Sequence, residues 1–133
     1  MCVFCQIIAG DLPAYKIYED DDVLAFLDIK PLNPGHTLVI PKKHYQNLEE
    51  IPEKDLAVLA KAVKKIGFWL KSRLGVAGYA VSLNNDPVAG QEVPHLHIHL
   101  IPRAENDGLT AWPRKEYQAG EAAKIAGILK GEI

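Results

Sequence analysis

Three histidines at alternate positions, His95, His97 and His99, lie between Pro94 and Pro102 and are separated by Leu96, Ile98 and Leu100. In an extended chain successive side chains point to opposite faces, so the imidazoles share one face and the aliphatic residues enter a core on the other. A neutral imidazole is a competent nucleophile when one ring nitrogen keeps its proton through a hydrogen bond and the other presents its lone pair. His97, the central ring, has an imidazole on either side that can donate to phosphate oxygens and bias its tautomer. This pattern suits attack on phosphorus with charge stabilisation around it. A solvent-facing strand that happens to use histidine is the bland alternative for a lone His-x-His; three in register beside Gly90-Gln91 weigh against it. One metal held by all three rings is disfavoured, because at ~3.3 Å of rise per residue His95 and His99 stand ~13 Å apart along the strand.

Patterning along the chain supplies the elements that must hold this row. Residues 15–19 and 23–29 are rich in aromatic and branched residues and flank the acidic cluster Asp20-Asp21-Asp22, which predicts two strands and a hairpin turn. Residues 36–40, closed by Pro41, predict a third strand after the Pro- and Gly-containing loop 30–35. From Pro52, the residues Leu56, Leu59, Ala60, Val63, Ile66, Gly67 and Leu70 recur at spacings of three and four between lysines. An amphipathic helix is therefore predicted from about 52 to 74, capped at Gly75. Residues 79–83 predict a fourth strand, 84–91 a loop, and 94–102 the fifth strand, which carries the histidines. Beyond the loop 103–114, residues 120–130 predict a short terminal helix.

At 133 residues and 48% hydrophobic composition the chain can bury one core, which predicts a single domain over 1–133. The net charge is −2, and no basic stripe of the kind that binds nucleic acid occurs. Neither a positively charged leader nor an apolar run of about 18 residues is present, so no membrane association is expected and a soluble cytoplasmic protein is the default. The only cysteines, Cys2 and Cys5, would close too small a disulfide loop to stabilise much; the pair is either half of a metal site or chemically idle.

Residues 90–103, Gly-Gln-Glu-Val-Pro-His-Leu-His-Ile-His-Leu-Ile-Pro-Arg, resemble the signature of the histidine triad (HIT) family, and most closely its bacterial Hint-like branch. Similar family segments are Phe26-Leu27-Asp28-Ile29, residues 34–44 and residues 2–8. The resemblance implies an α+β domain, a five-stranded antiparallel sheet packed by one long helix, commonly as a homodimer. It also implies hydrolysis of a nucleoside phosphoramidate or dinucleoside polyphosphate, through a nucleotidyl group carried covalently on the middle histidine. Carried onto this chain, it makes His97 the nucleophile, with His99 and the distant His36 in the network that orients it and His95 beside the phosphate or a metal. Asp28 would accept from ribose hydroxyls, Phe4, Ile7, Phe26 and Ile29 would line the base pocket, and Asn84 with the backbone of Gly90 and Gln91 would hold the phosphate. A structural zinc on Cys2, Cys5, His44 and His95 is likewise implied. Two departures stand out. Glu92 occupies a place where Hint-type enzymes often carry a hydroxyl residue, where a carboxylate either repels the phosphate or carries a proton; Asp86 stands where glycine is frequent. A purine-nucleotide-binding regulatory protein with little turnover is the alternative reading.

Overall fold

Asp20 closes the first hairpin: its Oδ1 accepts hydrogen bonds from the backbone N–H groups of Asp22 and Val23, both at 2.8 Å. The turn brings strand β1 (Lys16–Glu19) antiparallel to β2 (Val23–Leu27). Strand β2 continues onto β3 (Thr37–Pro41), with Phe26 opposite Leu38. Two later strands, β4 (Gly78–Ser82) and β5 (Ile98–Arg103), complete an antiparallel sheet in the order β1-β2-β3-β5-β4. The computed structural model describes residues 2–132. The fold is α+β with a five-stranded antiparallel sheet, as the family resemblance implies, built from the five strands that the patterning predicts.

Period-two alternation divides the sheet into two buried faces. Val23, Ala25, Val39, Ile98 and Leu100 pack beneath the long helix α2 (Glu53–Ser72), which contributes Leu59, Ala62, Ile66 and Leu70. Gly67 of this helix has a steric reason: a Cβ there would stand 2.1 Å from the Tyr79 hydroxyl of β4. The helix ends at Ser72, two residues before the predicted end, and Gly75, at φ 75°, lets Val76 N–H donate back to Leu70 O at 3.2 Å.

The opposite face buries Leu24, Phe26, Leu38 and Ile40 against Phe4 and Ile7. These come from an N-terminal helix, α1 (Val3–Ala9), that the sequence reading did not anticipate. Seven residues are too few for a helix to persist alone, so packing onto the sheet stabilises it. A 3₁₀ turn (Pro87–Ala89) interrupts the predicted loop 84–91, and the terminal helix α3 (Glu121–Leu129) lies within its predicted span. Among the described residues no helix is long and apolar enough to cross a membrane.

The fifth strand departs from expectation at its start. It begins at Ile98, not Pro94, because Pro94 has no N–H, His95 N–H turns back to Val93 O at 2.8 Å, and Leu96 N–H donates to Tyr45 O at 2.7 Å. His95 and His97 therefore precede the β3–β5 ladder, and only His99 sits within it.

Candidate active site and metal centre

On the α1 face a cleft of about 630 Å³ opens, within the usual range for small-ligand sites. Phe4 and Ile7 of α1 form one wall, Phe26 and Leu38 the floor, and Asp28, Ile29, His36, Asn84, Gly90 and Glu92 the rim, with His97 and His99 at the base. Ten of the predicted site residues thus share one cavity. Leu38, which also lines it, was missed, although period-two alternation with Phe26 across the strand pair was the available signal.

Each ring at the base has its tautomer set by its partners. His97 Nδ1 lies 2.7 Å from the backbone oxygen of His95, which can only accept, so the proton sits on Nδ1 and the Nε2 lone pair is free. Burial holds His97 below the ordinary imidazole range, offset in part by that hydrogen bond, and the ring is neutral near pH 7. A neutral ring with a free lone pair is the form a nucleophile needs.

His99 is set through a relay. Leu32 N–H donates to His36 Nδ1 at 3.1 Å, which places the His36 proton on Nε2. That N–H meets His99 Nδ1 at 2.9 Å, leaving His99 with its proton on Nε2 as a donor beside His97, whose ring centroid is 5.0 Å away. His36 bonds to His99 and makes no hydrogen bond to His97 among the described residues. The His36 loop is pinned by Asn33, whose Nδ2 donates to Pro102 O and to Asp107, and whose backbone oxygen accepts from His36 N–H.

Burial, with His97 and His36 nearby, lowers His99 to about 4 from 6.5. Above pH 6.5 neither folded nor unfolded chain binds a proton there; below it the unfolded imidazole charges while the native one resists until about pH 4. Stability is therefore expected to fall across that window by ~1–2 kcal/mol, after allowance for solvent at the half-buried ring. Urea midpoints from pH 7 to 4 should show this loss, and His99→Gln should flatten it; identical slopes in the two proteins would refute the assignment.

His95 faces elsewhere. It is fully buried and outside the cleft lining; its Nε2–H donates to Pro41 O at 2.8 Å, turning the Nδ1 lone pair toward the two thiols and His44. His95 Nδ1 lies 3.6 Å from both Cys2 Sγ and Cys5 Sγ and 3.1 Å from His44 Nδ1, and Cys5 Sγ is 3.3 Å from His44 Nδ1. All four donor atoms fall within 4.8 Å of one another. A tetrahedral zinc with bonds of about 2.0–2.3 Å needs donor separations of roughly 3.3–3.8 Å, so the quartet fits the ion. The His95–Pro41 contact is the outer-shell bond that metal-binding imidazoles usually make.

The loop after β4 holds the rim. Gln91 is outside the cleft: its backbone N–H, expected to hold the phosphate, donates to Asp86 O at 3.2 Å, while its side-chain amide donates to Gln46 O and Val93 O and accepts from Asp86 N–H. Asn84 Nδ2 approaches Gly90 O at 3.4 Å. Gly90 is left-handed at φ 98°, and a Cβ there would crowd Asn84 Nδ2 at 3.3 Å. Asp86 sits at φ 78° and ψ 154°, a region nearly confined to glycine, where strain costs about 1–3 kcal/mol. Asp86→Gly keeps the N–H to Gln91 and is expected to stabilise the fold by ~1 kcal/mol net of glycine's entropy cost, read as a rise in Tm of about 2–5 °C. An unchanged or lower Tm would show that the Asp86 side chain contributes more than its backbone strain costs.

The HIT domain model matches residues 9–106. This chain belongs to the HIT family. An uncharacterized HIT-like protein of Methanocaldococcus jannaschii is 56% identical over 108 residues, covering 81% of this chain and 83% of that protein. Adenosine 5'-monophosphoramidase of Candida albicans is 38% identical, covering 99% and 91%. Among solved structures, a HIT family member from Bacillus subtilis superposes with a TM-score of 0.90 at 39% identity, covering 99% and 96%. A zinc-bound histidine triad family protein from Mycobacterium smegmatis gives 0.78 at 36%, covering 98% and 97%. The HIT match thus spans the five strands, α2 and all three triad histidines, while Phe4, Ile7 and the two cysteines precede it.

Proposed function

We propose that this HIT protein is a nucleotidyl hydrolase in which His97 Nε2 attacks the α-phosphorus of a nucleoside phosphoramidate or dinucleoside polyphosphate. The observation that carries the reading is the pair of opposed tautomers at the cleft base: a free lone pair on His97 beside an N–H on His99. As the Nε2–P bond forms, the bond to the leaving group breaks, the departing amine takes up a proton from solvent at the open cleft, and His97 keeps its own proton on Nδ1, donated to the His95 carbonyl. His99 Nε2–H donates to a phosphoryl oxygen that gains charge. Water then adds its oxygen to phosphorus as the Nε2–P bond breaks and gives up a proton to solvent, which balances the one taken by the leaving group. This releases the nucleoside monophosphate and restores neutral His97.

The apolar wall of Phe4, Ile7 and Phe26 suits a base, and Asp28 at the rim suits ribose hydroxyls. Asn84 and Gly90 stand at the phosphate end with Glu92. Because a fixed carboxylate there repels a polyanionic leaving group, the phosphoramidate is the favoured of the two substrates. The related phosphoramidase supports the same class. Zinc on Cys2, Cys5, His44 and His95 is a structural ion in this reading, since four protein ligands leave no position for water.

Rapid-quench mixing with an adenosine phosphoramidate, followed by intact-protein mass measurement, should reveal a transient chain heavier by one adenylyl group, mapping to His97. Turnover with no such species in the wild type, and equal turnover in His97→Ala, would overturn the covalent route. Tight monophosphate binding with no turnover on either substrate class would instead favour a binding protein.

A further inference from the structure

Helix α1 serves two sites at once. Cys2, its N-cap residue, and Cys5 point to the metal quartet, while Val3, Phe4 and Ile7, interleaved with them, line the cleft. Among the described residues, every hydrogen bond from residues 2–12 to the rest of the chain passes through one of the two thiols, to His44 or His95. Among the described residues apolar packing is the other tether, with Phe4 edge-on to Phe26 at 5.5 Å and to His97 at 5.1 Å. A seven-residue helix without a side-chain cap does not hold its shape unaided. His95 joins the sites a second time, since its ring faces the quartet while its carbonyl fixes the proton of His97.

We propose that zinc held by Cys2, Cys5, His44 and His95 controls the affinity of the cleft for nucleotides by docking α1, so that zinc and nucleotide bind cooperatively. The inference rests on the nucleotide reading of the cleft given above. With zinc in place, two thiolates on α1 are bonded through the ion to two imidazoles on the sheet side, and the Phe4–Ile7 wall is preorganised. Without it α1 keeps only its apolar contacts and the weak hydrogen bonds of the two thiols to His44 and His95. The wall then has to be ordered when the nucleotide arrives, which lowers apparent affinity by the fraction of molecules already docked. Linkage requires the effect to be reciprocal.

Calorimetry with AMP and with GMP, on wild-type protein stripped of zinc and then reloaded, reads the coupling directly. Zinc-free protein should bind the monophosphate at least tenfold more weakly, with recovery on reloading, and amides of residues 4–9 should exchange faster in the zinc-free form. His44→Ala, which removes an exposed ligand outside the cleft, should reproduce the weakening in the presence of zinc. Should stripping unfold the chain, a competing chelator titrated against intact zinc protein, with and without saturating AMP, gives the same quantity from the other side; AMP should tighten zinc by the factor lost above. Equal nucleotide affinity with and without zinc, or zinc affinity indifferent to AMP, overturns the coupling alone. Failure of both forms to bind AMP or GMP overturns the nucleotide reading and the coupling with it.

Discussion

Replacing His97 with alanine should lower turnover by about 10⁴-fold or more while leaving the fold intact, as removal of a covalent nucleophile generally does. The ring opens onto the cleft and makes one hydrogen bond, to a carbonyl that water can reach once the ring is gone, so the expected stability cost is ~1 kcal/mol. Monophosphate binding should survive within a few-fold, because base and ribose contacts come from Phe4, Phe26 and Asp28. The kcat loss with a nearly unchanged Kd separates a reacting group from a binding one. His36→Ala offers the contrast: it removes the donor that sets the His99 tautomer, leaves His97 in place, and should cost less. A His36 variant as inactive as His97→Ala, or an active His97→Ala, would reverse the roles.

The second large effect concerns the metal. Protein purified without added metal should carry about one zinc per chain, and stripping it should lower Tm by ~10–15 °C. An ion at a thousandfold its Kd contributes ~4 kcal/mol, and each kcal/mol moves Tm of a domain this size by about 3–4 °C. Burial and the neighbouring Cys2 push the Cys5 thiol up, so Cys5 takes a proton once the ion is stripped. Cys5→Ser should show the same loss with no chelator present. A chain well below one zinc after gentle handling, or a Tm indifferent to chelation, would remove the ion from the account.

Much of the sheet is legible from local pattern. Alternation of Leu96, Ile98 and Leu100 with the histidines places the aliphatic residues in the core under α2 and the rings away from it, as the structure bears out. The lysine-studded apolar stripe of α2 is equally local, because one face of a 3.6-residue period has to be buried. What went unread shares a feature: it depends on partners distant in sequence. Helix α1 is too short to announce itself, and only the face of β2 and β3 turned away from α2, with Leu24, Phe26, Leu38 and Ile40, makes burying Phe4 and Ile7 favourable. The early exit of residues 94–97 from the ladder depends on Pro41 O and Tyr45 O, which hydrogen-bond to His95 and Leu96 across some fifty positions of chain.

The chemical identity of the site was carried by sequence alone: three imidazoles at alternate positions, a carboxylate near the end of the second predicted strand, and two cysteines three positions apart. Side-chain type and the two-residue period of extended backbone are enough for that. Tertiary structure decided how three similar rings are divided. Pro41 O holds His95 toward the thiols, the His95 carbonyl holds the His97 proton away from the cleft, and Leu32 through His36 makes His99 a donor. An imidazole has two nitrogens and one proton to share between them when neutral, and which nitrogen bears it is set by whatever stands opposite, which only the folded chain supplies.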